Sequence, residues 1–168
     1  MIRLQVAIVV NFVIMPQWRQ ISVPPICERA IGFSVPSENK VLVISYEGTH
    51  LLNLGASITV ETDESFREYD IYDHDGGTAN YRGKEYIIIG LYGSRESILR
   101  SPQGEMLVLD TTAETLSVLK DRSSSWQTRY ENFSGDWAAA TFSPDGHYIV
   151  LGCPYDFDFR VFERMLTD

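Results

Sequence analysis

Asp70, Asp73 and Asp75 crowd into the stretch DIYDHDGG and form the chain's best candidate set of hard oxygen ligands. Ca²⁺ takes several oxygens from a tight, glycine-containing loop, and Asp73-His74-Asp75-Gly76-Gly77 offers two carboxylates and such a turn. The D-x-D-x-D-G spacing of a calcium loop is not met and no Glu closes it. A solvated acidic turn is therefore the first reading and a Ca²⁺ site the second. His50, His74 and His147 lack the H-x-H or H-x-x-x-H spacing that would gather zinc. Cys153 lies six residues beyond His147 on one strand, roughly 20 Å when extended, so the two cannot form a thiol–imidazole pair and Cys153 is read as structural. No G-x-S-x-G, phosphate loop or dinucleotide fingerprint occurs. No catalytic residue and no cofactor is assigned on these grounds.

Recognition has a better foothold than catalysis. Trp126, Arg129, Tyr130 and Trp137 form an aromatic and cationic cluster in and after a long polar insert, and Trp, Tyr and Arg are the usual anchors of protein interfaces. The plainer alternative is that Tyr130 and Trp137 pack between strands. Asn132-Phe133-Ser134 matches a glycosylation triplet, which matters only in a secreted chain.

Composition narrows the partners. The formal charge is −9 and no basic run exists, which disfavours nucleic acid and anionic membrane, since both are held by clustered Lys and Arg. The two cysteines, Cys27 and Cys153, do not make a disulfide framework and suit a reducing compartment, so a cytoplasmic location is expected. With 168 residues and 44% apolar content the chain reads as one folded domain. Residues 1–15 resemble a signal peptide superficially. Ile2, Leu4, Val6, Ile8, Val10, Phe12 and Ile14 share one parity, however, and predict a β-strand.

The elements that must position these residues are strands. WAAATFSPDGHYIVLG, Trp137–Gly152, reads as a strand, a tight turn and a return strand. Pro144 suits the second turn position, Asp145 bonds downstream backbone and Gly146 tolerates positive φ. Ala140 and Phe142 share one side of the leading strand. Tyr148, Val150 and Gly152 alternate with Ile149 and Leu151 on the return, which predicts a sheet covered on both faces. Phe159–Glu163 follows as a third strand.

Weaker versions of this phrase lie upstream. AIGFSVPSENKVLVISY, Ala30–Tyr46, is followed by strands Thr49–Leu54 and Ile58–Glu61. A second repeat takes Tyr69–Tyr72 as first strand, a polar loop 73–83, Lys84–Tyr92 as second strand, a connection 93–104 and Met106–Asp110 as third, with an outer strand running to Leu119. Repeat cores are thus placed at about 28–55, 69–110 and 136–163 of a single domain spanning 1–168, with residues 1–15 as an outer strand. The polar segment 121–135 is read as an insert.

The pattern A-x-F-S-P-D-G followed by an apolar strand and Arg160-Val161-Phe162-Glu163 resembles a WD40-type, or broadly YVTN-like, β-propeller repeat. Phe162-Glu163 and Leu109-Asp110 stand where that family has Trp-Asp. The resemblance implies an all-β fold of three antiparallel propeller-like blades. Closed propellers need about four to eight. Two copies forming a six-bladed homodimer, with residues 2–14 of one completing the last blade of the other, is the favoured solution; an abbreviated form covered by its own loops is the alternative. The implied function is non-catalytic binding of a protein or peptide. A propeller-type hydrolase or lyase, or a Ca²⁺-dependent carbohydrate or small-ligand binder, is the alternative, with Asp70, Asp73, Asp75 and Asp156 or Asp158 as its acids.

Overall fold

The computed structural model describes residues 17–26, 29–90, 96–131, 138–153 and 158–165. The expected strand at 2–14 and the residues Cys27, Trp137 and Asp156 lie outside them. Among the described residues the fold is all-β, with one helical turn.

Four consecutive strands open the largest sheet: β2 (Ala30–Ser34), β3 (Lys40–Ser45), β4 (Thr49–Asn53) and β5 (Thr59–Asp63), after a short β1 (Gln17–Ile21) that belongs elsewhere. A one-turn helix α1 (Glu68–Ile71) leads to β6 (Tyr72–Asp73), β7 (Thr78–Tyr81) and β8 (Lys84–Gly90). β8 returns to pair with β2, giving a seven-stranded antiparallel sheet of order β5-β4-β3-β2-β8-β7-β6. The sheet is strongly curled. Gly32 faces Gly90 across the β2–β8 pair, and there the backbones approach so closely that a Cβ on Gly90 would lie 2.7 Å from the Ile31 carbonyl oxygen. Two glycines at one crossing let the strands meet this tightly.

Alternation then sorts the side chains. Leu42, Ile44, Leu51, Tyr81, Tyr86 and Ile88 fill the space between the two halves of the curl. Phe33, Val41, Val43 and Leu52 point the other way, against a second sheet. That sheet has the order β1-β14-β13-β12 and contains β12 (Ala139–Phe142), β13 (Tyr148–Cys153) and β14 (Asp158–Met165). All six residues of β13 are buried. Tyr148 and Val150 face the curled sheet, whereas Ile149, Leu151 and Cys153 face a third sheet. The expected hairpin and its two covered faces are therefore present.

The third sheet is a meander of β9 (Met106–Asp110), β10 (Thr115–Lys120) and β11 (Ser123–Arg129). Leu107, Leu116, Val118 and Trp126 face the middle sheet. Val108, Ser117 and Gln127, paired in register across the three strands, lie on the opposite face, where Gln127 Nε2 donates to Ser117 Oγ at 3.1 Å. This end of the stack is polar.

Several expectations change. Tyr69–Ile71 belong to a helical turn rather than a strand, and the supposed polar loop 73–83 contains β7. The supposed insert 121–135 contains β11. Arg82-Gly83 and Asp121-Arg122 each place two successive residues at positive φ, the backbone pattern of two-residue hairpins. Trp18, between prolines that were read as chain breaks, lies in β1, which pairs antiparallel with β14 from Gln17–Met165 to Ile21–Val161. β1 thus adds a fourth strand to the β12–β14 sheet. No helix among the described residues is long and apolar enough to cross a membrane.

Candidate functional site

Ser143-Pro144-Asp145-Gly146 joins β12 to β13, and Ser101-Pro102-Gln103-Gly104, 42 residues earlier, leads into β9. The two turns are built alike. Gly146 N–H donates to the Ser143 carbonyl at 2.8 Å and Gly104 N–H to the Ser101 carbonyl at 3.0 Å, with φ of +71° and +80° at the glycines. Both serine hydroxyls accept backbone N–H groups from beyond the turn: Ser143 from His147 and Tyr148, Ser101 from Glu105. A third turn, Ser37–Lys40, closes β2 to β3 with Glu38 and Asn39 at positive φ. Ser34, which follows Phe33 as Ser143 follows Phe142, accepts Leu42 N–H at 2.9 Å.

These turns gather at one end of the stacked sheets. Gln103 Nε2 donates to the Asp145 carbonyl at 3.0 Å, and Pro102 packs against Gly146. On the other side, Pro36, Glu38 and Asn39 meet Ser143, Pro144 and Asp145 across a cleft of about 210 Å³. Burial pushes the Asp145 carboxyl up, but the Ser143 hydroxyl and the His147 N–H outweigh it and hold the group below the ordinary Asp range. Lys84, 2.8 Å from Glu38, holds that exposed carboxyl down as well. The cleft rim therefore carries ionised oxygens beside two prolines.

One side chain braces this face from beneath. Arg164 on β14 makes a two-pronged pair with the fully buried Glu105, donates through Nε to the Gly146 carbonyl at 2.9 Å, and lies 4.6 Å from the Trp18 ring centroid. Burial raises the Glu105 carboxyl, yet the Arg164 and Ser101 hydrogen bonds prevail and its net shift is downward. A larger groove of about 540 Å³ separates β9 from β12, lined by Leu99, Leu107, Leu109 and Ala138 to Ala140 with Glu96 and Ser97.

The residues singled out from sequence go to different places. Asp70 Oδ2 accepts Arg67 N–H at 3.0 Å at the start of α1. Asp73 Oδ1 accepts the N–H groups of Asp75 and Gly76 at 3.1 and 3.0 Å, making a side-chain turn. Asp75 is exposed. Among the described residues no group of three or more His, Cys, Asp or Glu could hold a metal. His74 pairs instead with the buried Glu68 at 3.0 Å and stacks on Tyr72.

Trp126 is half-buried, its ring against Phe162 with centroids 4.9 Å apart. Tyr130 is 2% exposed, and burial pushes its phenol up to about 12. Arg129 is exposed and its carbonyl accepts from Arg160 at 2.7 Å. Of the four, Trp126 and Tyr130 pack against neighbouring strands, Arg129 is exposed, and Trp137 lies outside the described residues. Asp158 falls within β14.

A serine–histidine contact that spacing did not suggest is Ser45 Oγ to His50 Nε2 at 3.0 Å, with His50 Nδ1 3.1 Å from Thr62 Oγ1. Ser45 and His50 are buried, and desolvation lowers the His50 pKa. A hydroxyl stands where a triad has a carboxylate, and Ser45 Oγ is also engaged by Gly48 O and by two backbone N–H groups. This group latches the β3–β4 turn. The signal that sequence reading missed is the Ser-Pro-x-Gly repetition at 101 and 143, which marks two members of the turn face. No family model matches this chain, and neither curated proteins nor solved structures include a match to it.

Proposed function

We propose that this chain is a non-catalytic scaffold of propeller-like blades that holds a protein or peptide on its turn face. In this reading the blades are β2–β5; residues 98–101 with β9–β11; and β12–β14 completed by β1, while β6–β8 caps the first. The observation carrying the reading is the acid-rimmed, proline-lined cleft between the Ser37–Lys40 and Ser143–Gly146 turns, with the Ser101–Gly104 turn packed against the latter. Turns displayed by a rigid strand framework are where recognition residues gather. The 42-residue recurrence of the Ser-Pro-x-Gly turn supports a repeat architecture. β1 within the chain and the polar outer face of β9–β11 support a stack finished without a second copy.

The test is peptide selection against the intact chain, counter-screened with Glu38→Lys and Pro144→Ala. Peptides that lose about tenfold or more in affinity with either substitution, the size expected when an interface anchor is removed, bear the proposal out. Binders indifferent to both would remove the turn face as the site.

A further inference from the structure

At the opposite end of β3 from Glu38 and Asn39, the β3–β4 turn meets the segment joining β5 to α1. Residues 61–75 hold seven carboxylates and one guanidinium, Arg67, a net −6 of the chain's −9. Acidity alone would be a solvated surface. Here it surrounds aromatic rings that the fold leaves outside: Tyr69 is 88% exposed on α1, Tyr46 47% and Phe66 36%.

The backbone beneath these rings is tied down. Arg67 Nη1 donates to the Tyr46 and Glu47 carbonyls at 3.1 and 2.7 Å. Thr49 Oγ1 donates to the Phe66 carbonyl at 3.1 Å, and the Phe66 ring meets Tyr81 edge-on with centroids 5.5 Å apart. Exposed aromatics on a braced platform are a docking feature, since such rings are otherwise buried. The surrounding charge selects the partner. Ring faces attract guanidinium and ammonium groups, and carboxylates such as Glu47, Glu64 and Asp70 pair with them. The same charge repels a second copy presenting this corner.

We propose that this corner docks a cationic partner segment, an extended stretch bearing Arg or Lys side chains, with Tyr69 as its anchor ring. The inference does not rest on the turn face and stands if that face binds nothing. The test is fluorescence anisotropy of a labelled octapeptide of alternating arginine and glycine, with its glutamate counterpart, titrated with the intact chain at low and physiological salt.

The arginine peptide is expected to bind and the glutamate peptide not. Tyr69→Ser is expected to weaken binding about fivefold and Glu64→Lys about tenfold. Glu131→Lys, an equal charge change at an exposed residue of another region, serves as the control. All three positions are exposed, and unchanged thermal melts confirm the fold. If the arginine peptide fails to bind, or the corner variants weaken it no more than Glu131→Lys does, the proposal falls and any attraction belongs to the net charge. It also falls if light scattering shows self-association that Tyr69→Ser abolishes, because the corner then receives a second copy.

Discussion

β13 follows one Ser-Pro-x-Gly turn directly and β11 lies in the meander that the other leads into, yet all six residues of β13 are buried and none of the seven in β11 is. The middle sheet has a neighbour on each face, so its strands are apolar at successive positions. Among the described residues the β9–β11 sheet has a neighbour on one face, and Ser117 and Gln127 complete the other with a hydrogen bond. The residue after each turn glycine runs the other way. Glu105 is buried against Arg164, whereas His147 is partly exposed, 3.8 Å from Glu163. The burial of each strand follows the number of sheets packed against it, not the turn motif.

The comparison can be broken at its brace. Glu105→Gln leaves the nearly buried Arg164 without its counter-charge and is expected to cost about 3–5 kcal/mol in denaturant unfolding. The pH dependence has a definite sign. A carboxyl lowered in the folded state contributes stability above its unfolded pKa, about 4.3, and loses it as pH falls toward the folded value. Wild type should therefore lose stability in that acid window, and the glutamine variant should show a shallower loss. Phe142→Ala, in the middle sheet, opens a cavity between Trp18 and its neighbours and should cost about 3–5 kcal/mol by the same measurement.

Gly90→Ala probes the crease of the curled sheet rather than the stack. Its methyl group meets backbone on the opposing strand, and a loss of about 1–3 kcal/mol is expected from overpacking. Val108→Ser, on the solvated face of β9, should shift the midpoint by less than about 0.5 kcal/mol. A large effect there would mean that something covers this face in solution.

Where burial was two-sided, the sequence was easy to read. Phe142 to Leu151 announced a hairpin and both its faces, and Val41 to Ile44 did the same for β3. The polar strands were harder. Ser123-Ser124-Ser125 gives no alternation because only the Trp126 side of β11 meets the core, and Asp121-Arg122 turns the chain without the Asn-Gly or Gly that flags a hairpin. β7 was hidden for a related reason: Thr78–Tyr81 is short, and its two buried residues, Ala79 and Tyr81, are one small and one polar-tipped.

The residues proposed for recognition were less legible still. Trp126 and Tyr130 have the chemistry of interface anchors and the same chemistry suits a core. Tyr69 sits in an acidic stretch that invited a metal reading. Its exposure depends on a single helical turn that no apolar periodicity marks.

The pairing of β1 with β14 also orders events in time. Gln17 and Met165 are neighbours in the sheet but about 150 residues apart along the chain, and synthesis proceeds at roughly 5–20 residues per second. The first strand therefore waits on the order of ten seconds for its partner, with Trp18 and Ile21 still unburied. Contacts this distant in sequence form late and slow folding. During that interval the nascent chain offers other molecules an unpaired β edge, and a chaperone or a neighbouring nascent copy could occupy it before β14 is made.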